Sequence, residues 1–377
     1  MSDSGTGRTG QNEASIRPFT ESDLPQVADL YWHHMRQRKG PAPPAVHASL
    51  HELYFANPWV DSELPSVVYL SPSGQVVGFL GLIVRKMCLK GQPIRIALAG
   101  NMVVHSEFRS KQAATRLAGV WSGGKHDISL GDSCNDASRR LLERIDFRTI
   151  PALNIHWARP LRPSHYAVYA ISHRTGPMLS ASLKLAAKPL CSLADAVAEM
   201  FSKSPFRHAK SPLHGAEADV ETLLECFAEF RQGYSLWPEY DARSLAWLLS
   251  FMERRTARGH LRKVVVRDDR QKIVGWYIYY VKPGAVGEVV QVGGEPKFTK
   301  DVLDHLFYDA RERGVIALHG VVERRRMPDF SDKGCFFTCL GGWTLVHTRQ
   351  PELLELLERG DVLLSRLDGE WCLDPGE

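Results

Sequence analysis

Asn101-Met-Val-Val-His105-Ser-Glu-Phe-Arg109-Ser-Lys-Gln112-Ala-Ala114-Thr-Arg-Leu117, with Asn135-Asp-Ala-Ser-Arg-Arg-Leu-Leu142-Glu143-Arg-Ile-Asp146-Phe147 a short way downstream, is the stretch on which the fold turns. An apolar strand stopping at His105 and a helix starting near Ser110 leave a short turn that carries Arg109. The backbone N–H groups at a helix start, together with its positive end, suit a bound anion such as a diphosphate.

Upstream, Ile16–Phe19 reads as a strand and Thr20–Asp23 as an N-cap with an acidic residue three places on. Helical spacing then continues until Gly40-Pro-Ala-Pro-Pro44 stops it, and a second helical piece covers Ala48–Phe55. Val67–Leu70 and Val76–Val84 are expected strands around a Ser71-Pro-Ser-Gly74 turn, and Pro93–Val104 is the next. A helix over Ser110–Trp121, a strand over His126–Leu130, a helix over Asn135–Ile145 and a strand near Leu153–Trp157 follow. After an Ala/Leu-rich connector at Ala181–Phe201, the second half repeats this order. Helices are expected over Ala218–Phe230 and Ala242–Arg254, strands over Arg262–Val266, Ile273–Val281 and Gly287–Val292, then a helix over Thr299–Arg313 and a strand over Val315–Val321.

The Asn101–Phe147 segment resembles the acyl-CoA-binding core of the GCN5-related N-acetyltransferases, the GNAT superfamily. Its pattern is Arg/Gln-x-x-Gly-x-Gly/Ala after a Val-x-Pro strand end. Arg109 holds the first position, Gln112 replaces the middle Gly and Ala114 fills the last. The later segment is similar to the family's Asn-x-x-Ala-x-x-x-Tyr-Glu-x-x-Gly-Phe helix, through Asn135, Ala137 one position early, Glu143 and Phe147; Leu142 stands in the place of the Tyr and Asp146 in that of the Gly. The resemblance implies an α/β (α+β) protein of two GNAT-like acyl-CoA N-acyltransferase domains, each a mixed central sheet flanked by helices. The expected division is a disordered tail at 1–15, an N-terminal domain at 16–160 with the cofactor loop, a connector with a helix at 161–212 and a C-terminal domain at 213–373.

It further implies that Arg109, Ser110, Lys111, Gln112, Ala113, Ala114 and Asn135, with the strand Met102, Val103 and Val104, bind acetyl-CoA or another acyl-CoA as co-substrate. The family Tyr commonly protonates the departing thiolate. Double-GNAT proteins, and the similarly built Fem-type transferases that use aminoacyl-tRNA, are the two tandem arrangements the chain resembles. A GNAT-like protein that binds a ligand or partner without catalysis is the third reading, favoured by Gln112, Leu142 and Asp146.

Length and composition set the bounds. A chain of 377 residues exceeds what one core usually organises. With 44% hydrophobic and 24% charged residues it is globular rather than disordered. The net charge of +4 is spread along the chain, which fits an anionic small ligand better than DNA, whose binders carry basic stripes. Seven scattered cysteines argue against a disulfide framework and for a reducing compartment. Cys335 and Cys339, the one close pair, lack partners at metal spacing, so no metal is expected. Met1–Ser15 has no apolar core, and no stretch approaches the roughly 18 apolar residues of a spanning helix, so a cytoplasmic protein without a membrane partner is expected.

Acyl transfer to an amine requires the nitrogen near the thioester carbonyl, a proton acceptor, an oxyanion donor and an acid for the thiolate. Amides of Met102–Val104 are the expected oxyanion donors. His105 and Glu107 are read mainly as loop support. Asn101 is expected either to orient a substrate oxygen or to cap a strand bulge. Asp132 is placed to receive the amine or its proton, and Cys134 to stand in as the acid; against that, Asp132–Asn135 also suits a loop-to-helix cap, a purely structural role. In the second half, Glu288 and Glu295 are candidates to meet a cationic group. One set of the alternating Trp276–Tyr280 aromatics is a candidate sugar platform. The acceptor is therefore expected to be a small-molecule amine or an amino sugar, held between the halves or on the aromatic C-terminal half.

Overall fold

The computed structural model describes residues 14–172, 189–197, 200, 210–339 and 342–375. The chain builds two mixed sheets. The first contains β1 (Ser15–Pro18), β2 (Val67–Leu70), β3 (Val76–Leu89), β4 (Gln92–Val104), β5 (Ile128–Cys134) and β6 (Arg148–Thr149). The second contains β7 (His156–Pro160), β8 (His214–Glu217), β10 (His260–Arg267), β11 (Ile273–Val281), β12 (Val286–Gly294), β13 (Ala317–Val321) and β14 (Phe336–Thr338). A short β9 (Leu236–Pro238) pairs with the end of β3, and β15 (Trp343–His347) lies between β5 and β6.

The two halves thus exchange strands. β7, expected as the last strand of the first half, pairs antiparallel with β13 and β14 in the second sheet, while β15 from the second half completes the first. Sheet membership therefore does not follow the expected break at residue 160. Of the expected tail at 1–15, Ser15 already belongs to β1, and residues 1–13 lie outside those described. The connector helix at Ala181–Phe201 is described only at 189–197 and 200.

Helices α1 (Leu24–His34) and α2 (Pro44–Phe55) from the first half, with α7 (Val220–Phe230) and α8 (Ala242–Glu253) from the second, lie in one core. That core joins Val27, Leu50, Phe79 and Ile83 to Leu248, Trp276, Ile278 and Tyr280. The opposite face of the first sheet is covered by α3 (Ala113–Gly123) through Leu117 and Trp121, and that of the second by α9 (Thr299–Glu312) through Leu303, Leu306 and Phe307. With helices on both faces the central strands need apolar residues on both, so β11 is buried from Val274 to Tyr280. Tyr277 and Tyr279 therefore line no cleft. They are fully buried, and their hydroxyls bond His305 and Asp309 on α9. The expected sugar platform is core.

The thin motif keeps the backbone that the family glycines serve. Gln112 and Asp146, which stand in their places, both have left-handed φ values, +60° and +70°. Such a φ costs a non-glycine residue about 1–2 kcal/mol, and a glycine's extra unfolded-state entropy takes back roughly half of the relief. Gln112→Gly is therefore expected to stabilise the protein by about 0.5–1 kcal/mol, read as a rise in melting temperature; an unchanged or lower midpoint would contradict it.

Candidate active site

β4 and β5 run parallel and pair only from Ile96–Leu98 to Ile128–Leu130. Beyond that they separate, helped by a bulge in β4 where Gly81 faces Asn101 but Leu82 faces Ala99, so that Gly100 is the extra residue. The gap is a notch of about 330 Å³. Ala99, Gly100, Asn101 and Met102 form one wall and Ser133, Cys134 and Asn135 the other; Trp121, Ser138 and Leu142 lie between them, and Glu370, Trp371 and Asp374 close it.

The expected residues separate here. Asn101, Met102, Cys134 and Asn135 line the notch, whereas Val103 and Val104 point into the two cores flanking β4. Arg109, Ser110 and Lys111 fall in the turn Ser106–Lys111, and Ala113 and Ala114 open α3; Arg109, Ala113 and Ala114 do not line the notch. Arg109 is exposed, its Nε donating to the Val104 carbonyl at 3.3 Å. The Asn101 amide donates to Tyr54 at 2.8 Å, a buried bond that fixes α2 on β4. Asp132 and Cys134 are not loop residues, since β5 runs through Cys134; Asn135 alone is the cap of α4 (Asp136–Glu143), accepting from Ser138 N–H at 2.9 Å.

A second cavity, about 310 Å³, lies between the halves. Its walls include Leu130, Asp132, Asn154 and His156 from the first half, and Glu288, His319, Glu323, Arg324 and Arg366 from the second. It opens where β12 and β13 part after the Glu288–His319 pair, as the notch opens where β4 and β5 part. The chain from Leu364 to Asp374 crosses both openings, and Ser133 and Trp371 line both. Trp371 is held between the guanidinium groups of Arg258 and Arg366, 4.2 and 4.7 Å from its ring centre.

Two of the carboxylates on this cavity, Glu288 and Asp132, differ. Burial works against ionisation of Glu288, but His319, 3.4 Å away, and an ion pair with Arg366 prevail and hold it at about 2. Glu288 is thus charged and already paired. His156, stacked on His319 with ring centres 5.3 Å apart, is pushed down to about 4 by burial and then by Arg366, so it is neutral. Asp132 is pushed up to about 6 by removal from water, against the pull of backbone hydrogen bonds from the 370–371 segment and of Arg366. The Glu370 N–H donates to its Oδ1 at 2.8 Å, and Gly369 packs so closely that a Cβ there would stand 1.7 Å from Oδ2. Burial, then the charges of Glu370 and Asp132, raise the Cys134 thiol well above its usual range, so it is a neutral thiol and no nucleophile.

Other candidates lie elsewhere. Glu295 pairs with Lys272 and Lys297 at 3.5 and 2.7 Å, away from the cavity. The Gly293–Lys297 loop offers a carbonyl rather than an amide, since buried Arg326 donates to Gly294 O at 2.7 Å. Glu370, Trp371, Arg366, His156 and His319 went unread in the sequence, because no spacing or motif marks them. Among the described residues, no helix is long and apolar enough to cross a membrane.

No protein-family model matches the sequence, and no curated protein is detectably similar to it in sequence. Solved structures match in fold. A probable N-acyltransferase from Enterococcus faecalis V583 superposes on 89% of this chain and 72% of its own, at TM-score 0.58 and 10% identity. A GCN5-related N-acetyltransferase from Anabaena variabilis ATCC 29413 matches over the same shares, at TM-score 0.58 and 11% identity. Saccharomyces cerevisiae N-myristoyltransferase with bound myristoyl-CoA matches 89% of this chain and 78% of its own, at TM-score 0.51 and 10% identity. The chain therefore has the fold of the GCN5-related N-acetyltransferases, carried on two sheets in one polypeptide.

Proposed function

We propose that the chain is an acyl-CoA-dependent N-acyltransferase, with the acyl-CoA arm in the β4/β5 notch and a small amine, such as an amino sugar, in the cavity between the halves. The observation that carries this reading is the position of Asp132, which faces the acceptor cavity within one residue of the notch wall. A carboxyl held near neutrality by burial is suited to take a proton from an amine. The uncovered edge of β4, Ala99–Met102, supplies backbone groups for the pantetheine amides and for the carbonyl that becomes an oxyanion. Acetyl-CoA is the donor to test first.

Calorimetric titration with acetyl-CoA is expected to give micromolar binding, weakened about tenfold or more in Arg109→Ala, since a hydrogen bond to a charged group contributes about 1.5–3 kcal/mol. Failure of the wild type to bind acetyl-CoA or a longer acyl-CoA would overturn the reading.

A further inference from the structure

Leu142 brings a buried alkyl side chain to the notch, so a thiolate leaving there finds no hydroxyl at that position. Cys134 on β5 and Glu370 on the C-terminal segment line the notch from other directions, beside the hydroxyls of Tyr31, Ser133 and Ser138 and the arginine-paired Asp374. Glu370 faces the notch and Asp132 the acceptor cavity, while the Glu370 backbone donates to the Asp132 carboxyl. The wall between donor and acceptor sites is thus one carboxyl deep on each side.

On the acyl-transfer reading above, we propose that Glu370 is the acid that protonates the departing CoA thiolate, and that Asp132 resupplies it with the proton surrendered by the amine. The amine nitrogen bonds to the acyl carbon as the carbon–sulfur bond breaks, and that bond's electron pair leaves on sulfur. The Asp132 carboxylate takes the N–H proton, the Glu370 carboxylic acid gives its own to sulfur, and a proton passing between the two carboxyls restores both. Amine and thioester become amide and thiol with no other reactant.

The surroundings suit this role. Removal from water, then the Asp132 and Asp374 charges, push the Glu370 carboxyl well above its ordinary value, against a hydrogen bond from the Ser133 backbone, which favours its protonated form. The cations on the notch, Arg36 and Arg258, are both drawn to Asp374. Cys134 faces the same space, but its thiol is raised well above its usual range, and an acid weaker than the thiol it must form gives up its proton uphill.

The test uses the full chain, acetyl-CoA and hydroxylamine as a small amine, with release of CoA as the readout. Glu370→Gln is expected to lower kcat about 10²–10³-fold with acetyl-CoA binding by calorimetry unchanged. With a CoA analogue made more acidic by fluorines one carbon from the sulfur, the Glu370→Gln deficit is expected to shrink to about tenfold or less, because a better leaving group needs no acid. A structural role would leave the deficit the same for both donors. Wild-type rates on the two donors, which need no variant, are expected to be nearly equal; a strong dependence on thiol acidity overturns the relay. Full activity of Glu370→Gln beside an active wild type removes the relay and leaves the acyl-transfer reading standing. A wild type that binds no acyl-CoA overturns both.

Discussion

Asp132→Asn is expected to lower acyl transfer about 10²–10⁴-fold, the usual contribution of a positioned proton acceptor, without weakening acyl-CoA binding. Asparagine keeps the shape and can still accept from the Glu370 N–H, so the C-terminal segment should stay seated. The pH profile gives the sharper test. With the carboxyl raised toward about 6, the wild-type rate should climb as pH rises through that value and then level, and the variant should lose that limb.

Stability runs the other way. A carboxyl whose folded pKa lies above its unfolded value binds protons more tightly when folded, so raising the pH from about 4 to about 6 costs the fold stability at this position. Asp132→Asn should therefore melt no lower than wild type at neutral pH, which separates loss of the proton acceptor from loss of the fold. A variant with wild-type rate and an unchanged pH limb would remove Asp132 from the mechanism.

What the sequence could tell was local. The β3–β4 hairpin, the cap of α4 at Asn135 and the turn before α3 follow from apolar runs, an Asn acceptor and a positive-φ position, each set by neighbours within a few residues. Gln112 and Asp146 disguised two of those positions, because the φ value is kept while the residue that usually marks it is gone. Asp132 and Glu288 were singled out from their places near strand ends and both reach the same cavity, but their different ionisation depends on Arg366, His319 and the Gly369–Trp371 backbone. His319 and Arg366 lie 31 and 78 positions from Glu288, and the Glu370 amide lies 238 from Asp132; no periodicity encodes such pairings. The strand exchange was illegible for the same reason, since β7 reads as an ordinary short strand, β15 went unread, and only pairing decides which sheet receives them.

That exchange makes a single residue of the first half decisive for the second. Trp157 on β7 is fully buried against Phe307 and Phe330, with ring centres 6.2 and 5.0 Å away. It lies over β13 at Gly320, where a Cβ would come within 2.8 Å of the indole nitrogen. Trp157→Ala deletes the largest side chain of that core and is expected to cost about 3–5 kcal/mol, a large part of the roughly 5–15 kcal/mol that holds a folded protein together. Because β15 returns to the first sheet and one core runs through both halves, the loss should not stay in the second half. Heating should show one transition with coincident far- and near-ultraviolet signals, its midpoint lowered by roughly 5–10 °C. If the variant instead gave two separated transitions with only one displaced, the halves would be independent folding units and the exchanged strands no more than a tether.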